Sequence, residues 1–575
     1  MNLKNHKNDL LFLALGGANE IGMNVNLYHS EGKWLMLDFG AGFADDTLPG
    51  IDMIVPDITF LLEHKKDFLG IVLTHAHEDH LGAVPYLWKE LKCPIWATPF
   101  TASVLKVKLQ DTDFAREVKI NIIQPGSRFD IGPFNIELVQ LTHSIPEMNA
   151  AMIRTKSGNI LHTGDWKFDH APMVGPASDQ KKLADFGREG VLAMVCDSTN
   201  VFNPGVSGSE SDLRDSLVSL VGQCKNLVAV TTFASNVARV ETIAKVARAH
   251  KRKVVITGRS LFKITAAAQE NGYLNDIAPF ISDKEIKNFR RDQLLIMCTG
   301  CQGEPNAAMS KIAYGQHPTI RLNHEDTVIF SSKIIPGNEK KIYRLFNKFV
   351  DLGVEVLTEK DHFVHVSGHP SRDELKEMYR LVKPQIAIPV HGEKVHIHEH
   401  VKLAKEWGVP KSVQVHNGDL VKVAPGEPEK LSVVQSGYLA IDGNYLLAPD
   451  SDVIRERRKI GREGIMVLSL VLNLKGDLLA RPAILAPGIL DQKTDRDIIN
   501  DIVDEVKKVI EVQNRPANDV IQNVTRRALR RILKDEIGTK IQHQPFALGM
   551  IEVHIHPDFV CTAKGEEKQV ILMVF

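Results

Sequence analysis

Gly70-Ile71-Val72-Leu73-Thr74-His75-Ala76-His77-Glu78-Asp79-His80 decides the fold: an apolar run reads as a buried strand, and the polar residues follow as soon as it ends. A turn bearing three histidines and two acids within six residues suits division between two metal ions, provided further ligands arrive from elsewhere. Those further ligands stand in the same local setting. Asp38 ends KWLML, His143 ends FNIELVQLT, Asp165 follows NILHTG and His391 follows QIAIPV. A single His or Asp at a strand end ordinarily caps a turn or meets solvent. Repetition of the strand-then-ligand pattern is what argues for one converging site.

Outward from these strands, the 575 residues exceed what one core can organise, and 43% hydrophobic with 25% charged residues is the composition of a multidomain globular protein. No apolar run approaches the roughly 18 residues of a membrane span. The N-terminal run near Lys4 and Lys7 is too short for a signal peptide, and the six cysteines are too sparse for a disulfide framework, so a reducing cytoplasm is expected. With 70 basic against 71 acidic residues, any polyanion site is local. From about Val206 to Glu359 the runs VAVTTF, KVVITG, LLIMCTG, TVIFSS and VEVLT alternate with helical patterns, which predicts a parallel sheet covered on both faces. The Gly- and Pro-bearing stretch near Pro425–Pro449 reads as a linker or small connecting layer, and strands with two helices follow from Ser451.

HxHxDH followed by a distant His, an Asp and a final His resembles the metallo-β-lactamase superfamily. On that resemblance His75, His77 and His143 hold one ion, Asp79, His80 and His391 hold another, Asp165 bridges them, and Asp38 orients ligands from behind. Two ions about 3.5–4 Å apart lower the pKa of a water and clamp phosphoryl oxygens. Zn²⁺ is the first expectation, with Mn²⁺ accepted by the same donors. The long interval from Asp165 to His391 implies an insertion. Its flanks resemble the β-CASP subgroup, with Asp197 in CDSTN as motif A, His369 in HVSGHP as motif B and His391 as motif C. Together with TGCQGEP, FASN, GRS and PGIDMIVPD, residues 10–560 are similar to the ribonuclease J family.

The resemblance implies an αββα sandwich at 1–205 and 361–425, a β-CASP α/β domain at 206–360, a linker at 426–450 and a C-terminal α/β domain at 451–575. It also implies hydrolysis of single-stranded RNA, mainly 5′-to-3′ from a 5′-monophosphate end with some internal cleavage, in RNA maturation and decay. Asp79, Asp165, Asp197 and His369 carry the catalysis, with His369 as general acid. Ser235, His365, Ser367 and Gly368 form the 5′-phosphate pocket, His365 adding charge, and Phe43 stacks on a base. A homodimer or tetramer, other RNA-decay proteins as partners and no membrane association complete the expectation.

Other signals carry less. Cys298 and Cys301 lack a second pair for a zinc site, His396, His398 and His400 read as a solvated or partly packed helix, and His554 and His556 read likewise on a strand. LGGANEIG lacks dinucleotide-loop spacing, and neither GxxxxGK[ST] nor GxSxG is present. The basic runs Arg455–Arg462 and Arg526–Lys534 suit either a solvated helix or an RNA backbone. Two rivals stand beside the nuclease: a small-molecule ester or lactam hydrolase, and a catalytically silent RNA-binding scaffold, which the filled ligand positions disfavour.

Overall fold

Leu10–Gly16, with the sequence LLFLALG, is buried along its whole length, as a strand covered on both faces must be. In the computed structural model it pairs antiparallel with Val25–Ser30 (Leu13 opposite Leu27) and with Asp419–Ala424 (Phe12 opposite Val421). The model describes residues 3–473, 477–512, 518–537, 551–552 and 568–574. Two units divide the chain, one of residues 1–43 and 52–441, the other of 44–51 and 442–575.

The first unit holds an eight-stranded sheet, which runs in space through 429–433, 419–424, 10–16, 25–30, 33–37, 68–72, 95–97 and 120–122. A seven-stranded sheet follows the order 128–131, 134–140, 149–155, 158–162, 193–197, 386–390 and 411–412. Leu10, Phe12, Leu35 and Val72 from the former meet Phe134, Ile153, Val195 and Ile388 from the latter in one buried cluster, the filling of a two-sheet sandwich. Helices Val84–Leu91 and Pro99–Leu109 pack on one outer face. Gln180–Glu189, Arg372–Val382 and Lys394–Glu406 pack on the other, giving αββα layers.

Strand Ala193–Asp197 lies directly beside Ile386–Val390, in parallel, with Ala193 opposite Ile386. Everything between them is therefore an excursion that leaves and re-enters the sandwich at neighbouring strands. That excursion contains the expected parallel sheet, ordered 253–257, 294–298, 228–231, 327–330 and 355–357. Glu210–Gln223 and Val237–Ala249 cover one face, Ala308–Ala313 and Glu339–Asp351 the other.

The stretch read as a linker is built differently. Glu429–Val433 forms the edge strand of the eight-stranded sheet (Asp419 opposite Val433), and Tyr438–Asp442 pairs with Met53–Pro56. Edge strands present charged and half-exposed residues, here EKLSV, so their hydropathy resembles that of a connection.

In the second unit, Val467–Asn473 turns Leu468, Leu470 and Leu472 inward and pairs with Lys568–Val574 and with Ala483–Leu485. Ile502 and Val506 of helix Arg496–Glu511 and Leu529 and Leu533 of helix Asn518–Ile537 complete that core. The expected strand MIEVHIH contributes Ile551–Glu552, and His554 and His556 lie outside the described residues. Of the two basic runs, Arg455, Arg457 and Arg462 pair with Asp452, Asp442 and Glu463, and Arg531 pairs with Glu505, which neutralises part of each locally.

Candidate active site

Asp38 organises the ligand turn. Its backbone leaves strand Lys33–Leu37 with φ 63°, a left-handed conformation that residues with side chains seldom adopt. In return, its fully buried carboxylate reaches three donors: Thr74 N at 2.7 Å, Thr74 Oγ1 at 2.8 Å and His80 Nδ1 at 2.7 Å. Gly40 lies so tightly against the Asp79 carbonyl that no Cβ fits there, which lets the Asp38–Ala41 loop pass beneath helix Glu78–Leu81. On the second sheet, His391 also turns out of its strand with φ 52°, its N–H donating to the Gly17 carbonyl at 2.5 Å.

Two groups of donors result. Ligand atoms of His75, His77, His143 and Asp165 all lie within 4.8 Å of one another, and so do those of Asp79, His80, Asp165 and His391. Asp165 belongs to both. Its Oδ2 is 3.0 Å from His80 Nε2, 3.4 Å from His391 Nε2 and 4.0 Å from His75 Nε2. His143 Nε2 and His75 Nε2 each stand 3.0 Å from His77 Nδ1. The other ring nitrogens are occupied behind the site: His143 Nδ1 donates to the Gly368 carbonyl at 2.6 Å and His80 Nδ1 faces Asp38. That anchoring fixes which nitrogen faces the centre.

The electrostatics match a cation-binding cage. Burial pushes His75 and His143 well below the ordinary histidine range and His77 down to about 4, so they stand as neutral imidazoles, the form a metal requires. Burial alone would raise the Asp165 carboxyl, but His391 and His80 hold it well below its usual range. His80 moves the other way: burial disfavours its charge, yet Asp165, Asp79 and Asp38 raise it strongly. The neutral imidazoles of His75, His77 and His143 beside the carboxylates of Asp165 and Asp79 are a donor set that fits divalent cations.

Asp197, His369 and His391 form a third close group. Asp197 is already engaged, accepting from Thr199 N at 2.8 Å, Thr199 Oγ1 at 2.7 Å and His369 Nδ1 at 2.8 Å. Burial alone would lower His369, but Asp197 and then Asp165 raise it to about 9. The imidazolium therefore persists at neutral pH and is positioned to donate a proton.

Beside these groups a cleft is lined by His143, Ser144, Lys167, Asn236, Ser367 and Gly368 among others. Ser367 Oγ accepts from Asn200 Nδ2 at 2.7 Å and from His369 N at 3.1 Å, which leaves its own hydroxyl hydrogen free to donate. A Cβ on Gly368 would come within 2.7 Å of the His143 ring. Ser235 and His365 adjoin the lining residues Asn236 and Val366. The charge expected of His365 is not there: burial, followed by the neighbouring Arg239, holds it well below the histidine range, so it offers a neutral ring. Phe43 is 75% exposed, so it is not a core aromatic.

Sequence reading missed Arg239, Thr74, Asn24 and Asn200, whose contacts come from distant segments. Arg239 is fully buried, bonded through Nε to Glu210 at 2.7 Å and through Nη1 to both oxygens of Ser331 at 2.8 Å, with His365 Nδ1 at 3.5 Å. A cation on the inward face of helix Val237–Ala249 was its only sequence signal. Arg239→Leu leaves Glu210 as an uncompensated buried charge, and a destabilisation of about 3–5 kcal/mol is expected in urea unfolding. A loss under ~1 kcal/mol would show the pair to be dispensable. Cys298 and Cys301 are buried thiols pushed up to about 12 by that burial, which makes them unreactive. His400 is buried between Ser198 Oγ at 2.9 Å and Tyr379 OH at 3.1 Å, and His398 is exposed.

Family profiles agree with this architecture segment by segment. Residues 20–220 match the metallo-beta-lactamase superfamily, 225–349 "Ribonuclease J, beta-CASP domain", 353–415 "Zn-dependent metallo-hydrolase RNA specificity domain" and 452–546 "Ribonuclease J C-terminal domain". Ribonuclease J of Sinorhizobium meliloti is 38% identical over 540 residues, 92% of this chain and 96% of its own. Ribonuclease J of Synechocystis is 33% identical over 558 residues, 94% and 86% of the two chains. A protein of unknown function from Enterococcus faecalis V583 shares the fold, with a TM-score of 0.51 at 16% identity over 72% of this chain and 99% of that one. These matches favour the nuclease over the hydrolase of small esters or lactams. The chain belongs to the ribonuclease J family and is a metal-dependent ribonuclease, a metallo-β-lactamase core carrying an inserted β-CASP domain and followed by a C-terminal domain.

Proposed function

We propose that this ribonuclease removes nucleotides one at a time from the 5′ end of single-stranded RNA, reading a 5′-monophosphate, and cuts internally as a secondary activity. One observation carries the reading: the Gly368 carbonyl, inside the Ser367–Gly368 turn, is the acceptor for the ligand His143. The group that would grip a terminal phosphate and the group that would hold a metal are thus one piece of structure at a set distance. His75, His77, His143 and Asp165 would hold one divalent ion and Asp79, His80, Asp165 and His391 the other, with Zn²⁺ suited to the histidine-rich set and Mn²⁺ accepted. When bound, such ions polarise phosphoryl oxygens and acidify the attacking water.

The chain's own groups do the rest. Ser367 Oγ–H, backbone N–H groups of the turn and the neutral His365 ring orient the 5′ phosphate as hydrogen-bond donors, with Ser235 at the β-CASP side. His369, held by Asp197, donates its proton to the 3′ oxygen as the P–O3′ bond breaks. The products are a nucleoside 5′-monophosphate and a shortened RNA with a new 5′ phosphate, which can enter the same pocket again. The sparse cysteines and the family's C-terminal domain support a cytoplasmic homodimer or tetramer working with other RNA-decay proteins in RNA maturation and turnover.

The test is one RNA labelled at its 5′ nucleotide, carrying a 5′-monophosphate or a 5′-hydroxyl, with Asp79→Ala as blank. Labelled mononucleotide is expected from the phosphorylated RNA only. Ser367→Ala should lower that release about tenfold or more, the worth of one hydrogen bond to a charged group, and leave internal cuts nearly unchanged. Equal losses in both activities would refute the phosphate pocket.

A further inference from the structure

Phe202 is a large apolar residue left 46% exposed on a backbone held at both sides. Before it, Asn200 Nδ2 donates to Ser367 Oγ and to the His369 carbonyl (3.0 Å), and the Val201 carbonyl accepts from Arg372 Nε at 2.7 Å. After it, Asn203 donates to Asn200 Oδ1 at 3.0 Å and its carbonyl takes the Arg372 N–H at 3.0 Å. An aromatic ring offered to solvent from so fixed a loop loses little conformational entropy when something covers it. The edge of that ring meets His396, centroid to centroid 5.1 Å at 66°. His396 stands in the first turn of helix Lys394–Glu406, directly beyond His391, and its Nδ1 is buried without a hydrogen-bond partner. On the β-CASP side, Lys333 is exposed, with its carbonyl fixed by Gln302 Nε2 at 2.8 Å, two residues after Ser331, whose Oγ donates to the Val364 carbonyl at 2.7 Å on the segment that leads to His365 and Ser367. Its ammonium makes no ion pair among the described residues, yet its charge acts on both His396 and His365.

We propose that Phe202, His396 and Lys333 form a nucleotide subsite beside the Ser367–Gly368 turn, to which Asn200 ties the Phe202 loop, with a base of the single-stranded RNA stacked on Phe202. The His396 ring braces Phe202 from its edge, and Lys333 meets the adjoining phosphate. An exposed aromatic face and a cation for the adjoining phosphate is the combination that single-stranded nucleic acid binders use, and it tolerates any base because every base has a face to stack. The proposal rests on the reading of the substrate as a 5′-phosphorylated single strand.

The experiment measures kcat and KM for release of the first nucleotide from 5′-monophosphorylated RNAs, each with one abasic residue at a successive position. For the wild type, KM is expected to rise about tenfold when the abasic residue occupies one particular position, the scale of a lost stacking contact. Phe202→Leu should show about the same tenfold rise on the intact RNA and no further rise at that position, and Phe202→Trp should restore the sensitivity. Lys333→Ala should flatten the dependence of KM on salt, and Lys333→Arg should recover it. Wild-type KM in Phe202→Leu, or an abasic profile in that variant unchanged from wild type, overturns the subsite. If the enzyme proves indifferent to the 5′ phosphate while the coupling between Phe202 and one base persists, the end-reading falls and the subsite stands.

Discussion

Asp79→Ala is expected to abolish RNA hydrolysis, by about 10³-fold or more, with the far-ultraviolet circular dichroism unchanged. The size follows from removing a ligand to a cation that contributes several kcal/mol of charge stabilisation in the transition state. The intact fold follows from how Asp79 is used. Its Oδ2 faces His80 Nε2 at 3.6 Å and His391 Nε2 at 3.8 Å, and this is the half of the residue that the substitution deletes. The structural half is the backbone carbonyl, which accepts from Asn24 N at 2.8 Å and survives in alanine. Metal analysis should then find the two ions per chain proposed for the wild type reduced toward one. Near-normal turnover by the variant, or two ions retained, would refute the assignment of Asp79 as a ligand.

His369→Gln should lower kcat by about 10²–10⁴-fold, the usual contribution of a positioned general acid, with KM little changed. The pH dependence gives the sharper signature. Burial works against charge on His369, and Asp197 outweighs it to set a value of about 9, so the protonated ring that the proposed general acid needs prevails at neutral pH and is lost as pH rises through that value. The wild-type profile is therefore expected to fall on its alkaline side at or below pH 9, bound cations moving the limb downward. Asp197→Asn, which removes the main group raising His369, should move the limb further toward neutrality. In His369→Gln the limb should vanish. Its persistence there would assign the proton to another group.

The parts legible in the sequence were those in which local pattern and tertiary role coincide. A buried strand must end, and when GIVLT, NILHTG and QIAIPV end in His75, Asp165 and His391, the same residues serve as hydrophobic punctuation and as members of the gathered donor groups. The parallel sheet of the insertion was legible for the same reason, because each strand and each covering helix announces its own period. What was not legible depends on partners far away in the chain. Glu429–Val433 looks like connection because an edge strand's neighbours, not its own hydropathy, make it a strand. Arg239 looks like any helix cation until Glu210 and Ser331 close around it, where its charge adds to the burial that lowers His365. Thr74, one residue before the ligand turn, gains meaning only when Asp38 arrives from another strand.

The order in which these partners are made has a consequence for the living cell. A nascent chain emerging from the ribosome exposes HAHEDH early, but strand Ile386–Val390, with His391 at its tip, is synthesised only after the entire insertion. Leu10–Gly16 likewise waits for Asp419–Ala424, one of the first strand's two neighbours and nearly the last element of the sandwich to be translated. Domains fold largely as they emerge, so the β-CASP domain can form while the sheets that flank it are still incomplete. A chain halted within the insertion carries most of the gathered donors without the one that closes the second group. The circular arrangement of the sandwich thus leaves the second donor group incomplete until the strand that carries His391 has been translated, and leaves Leu10–Gly16 without its second neighbour until Asp419–Ala424 follows.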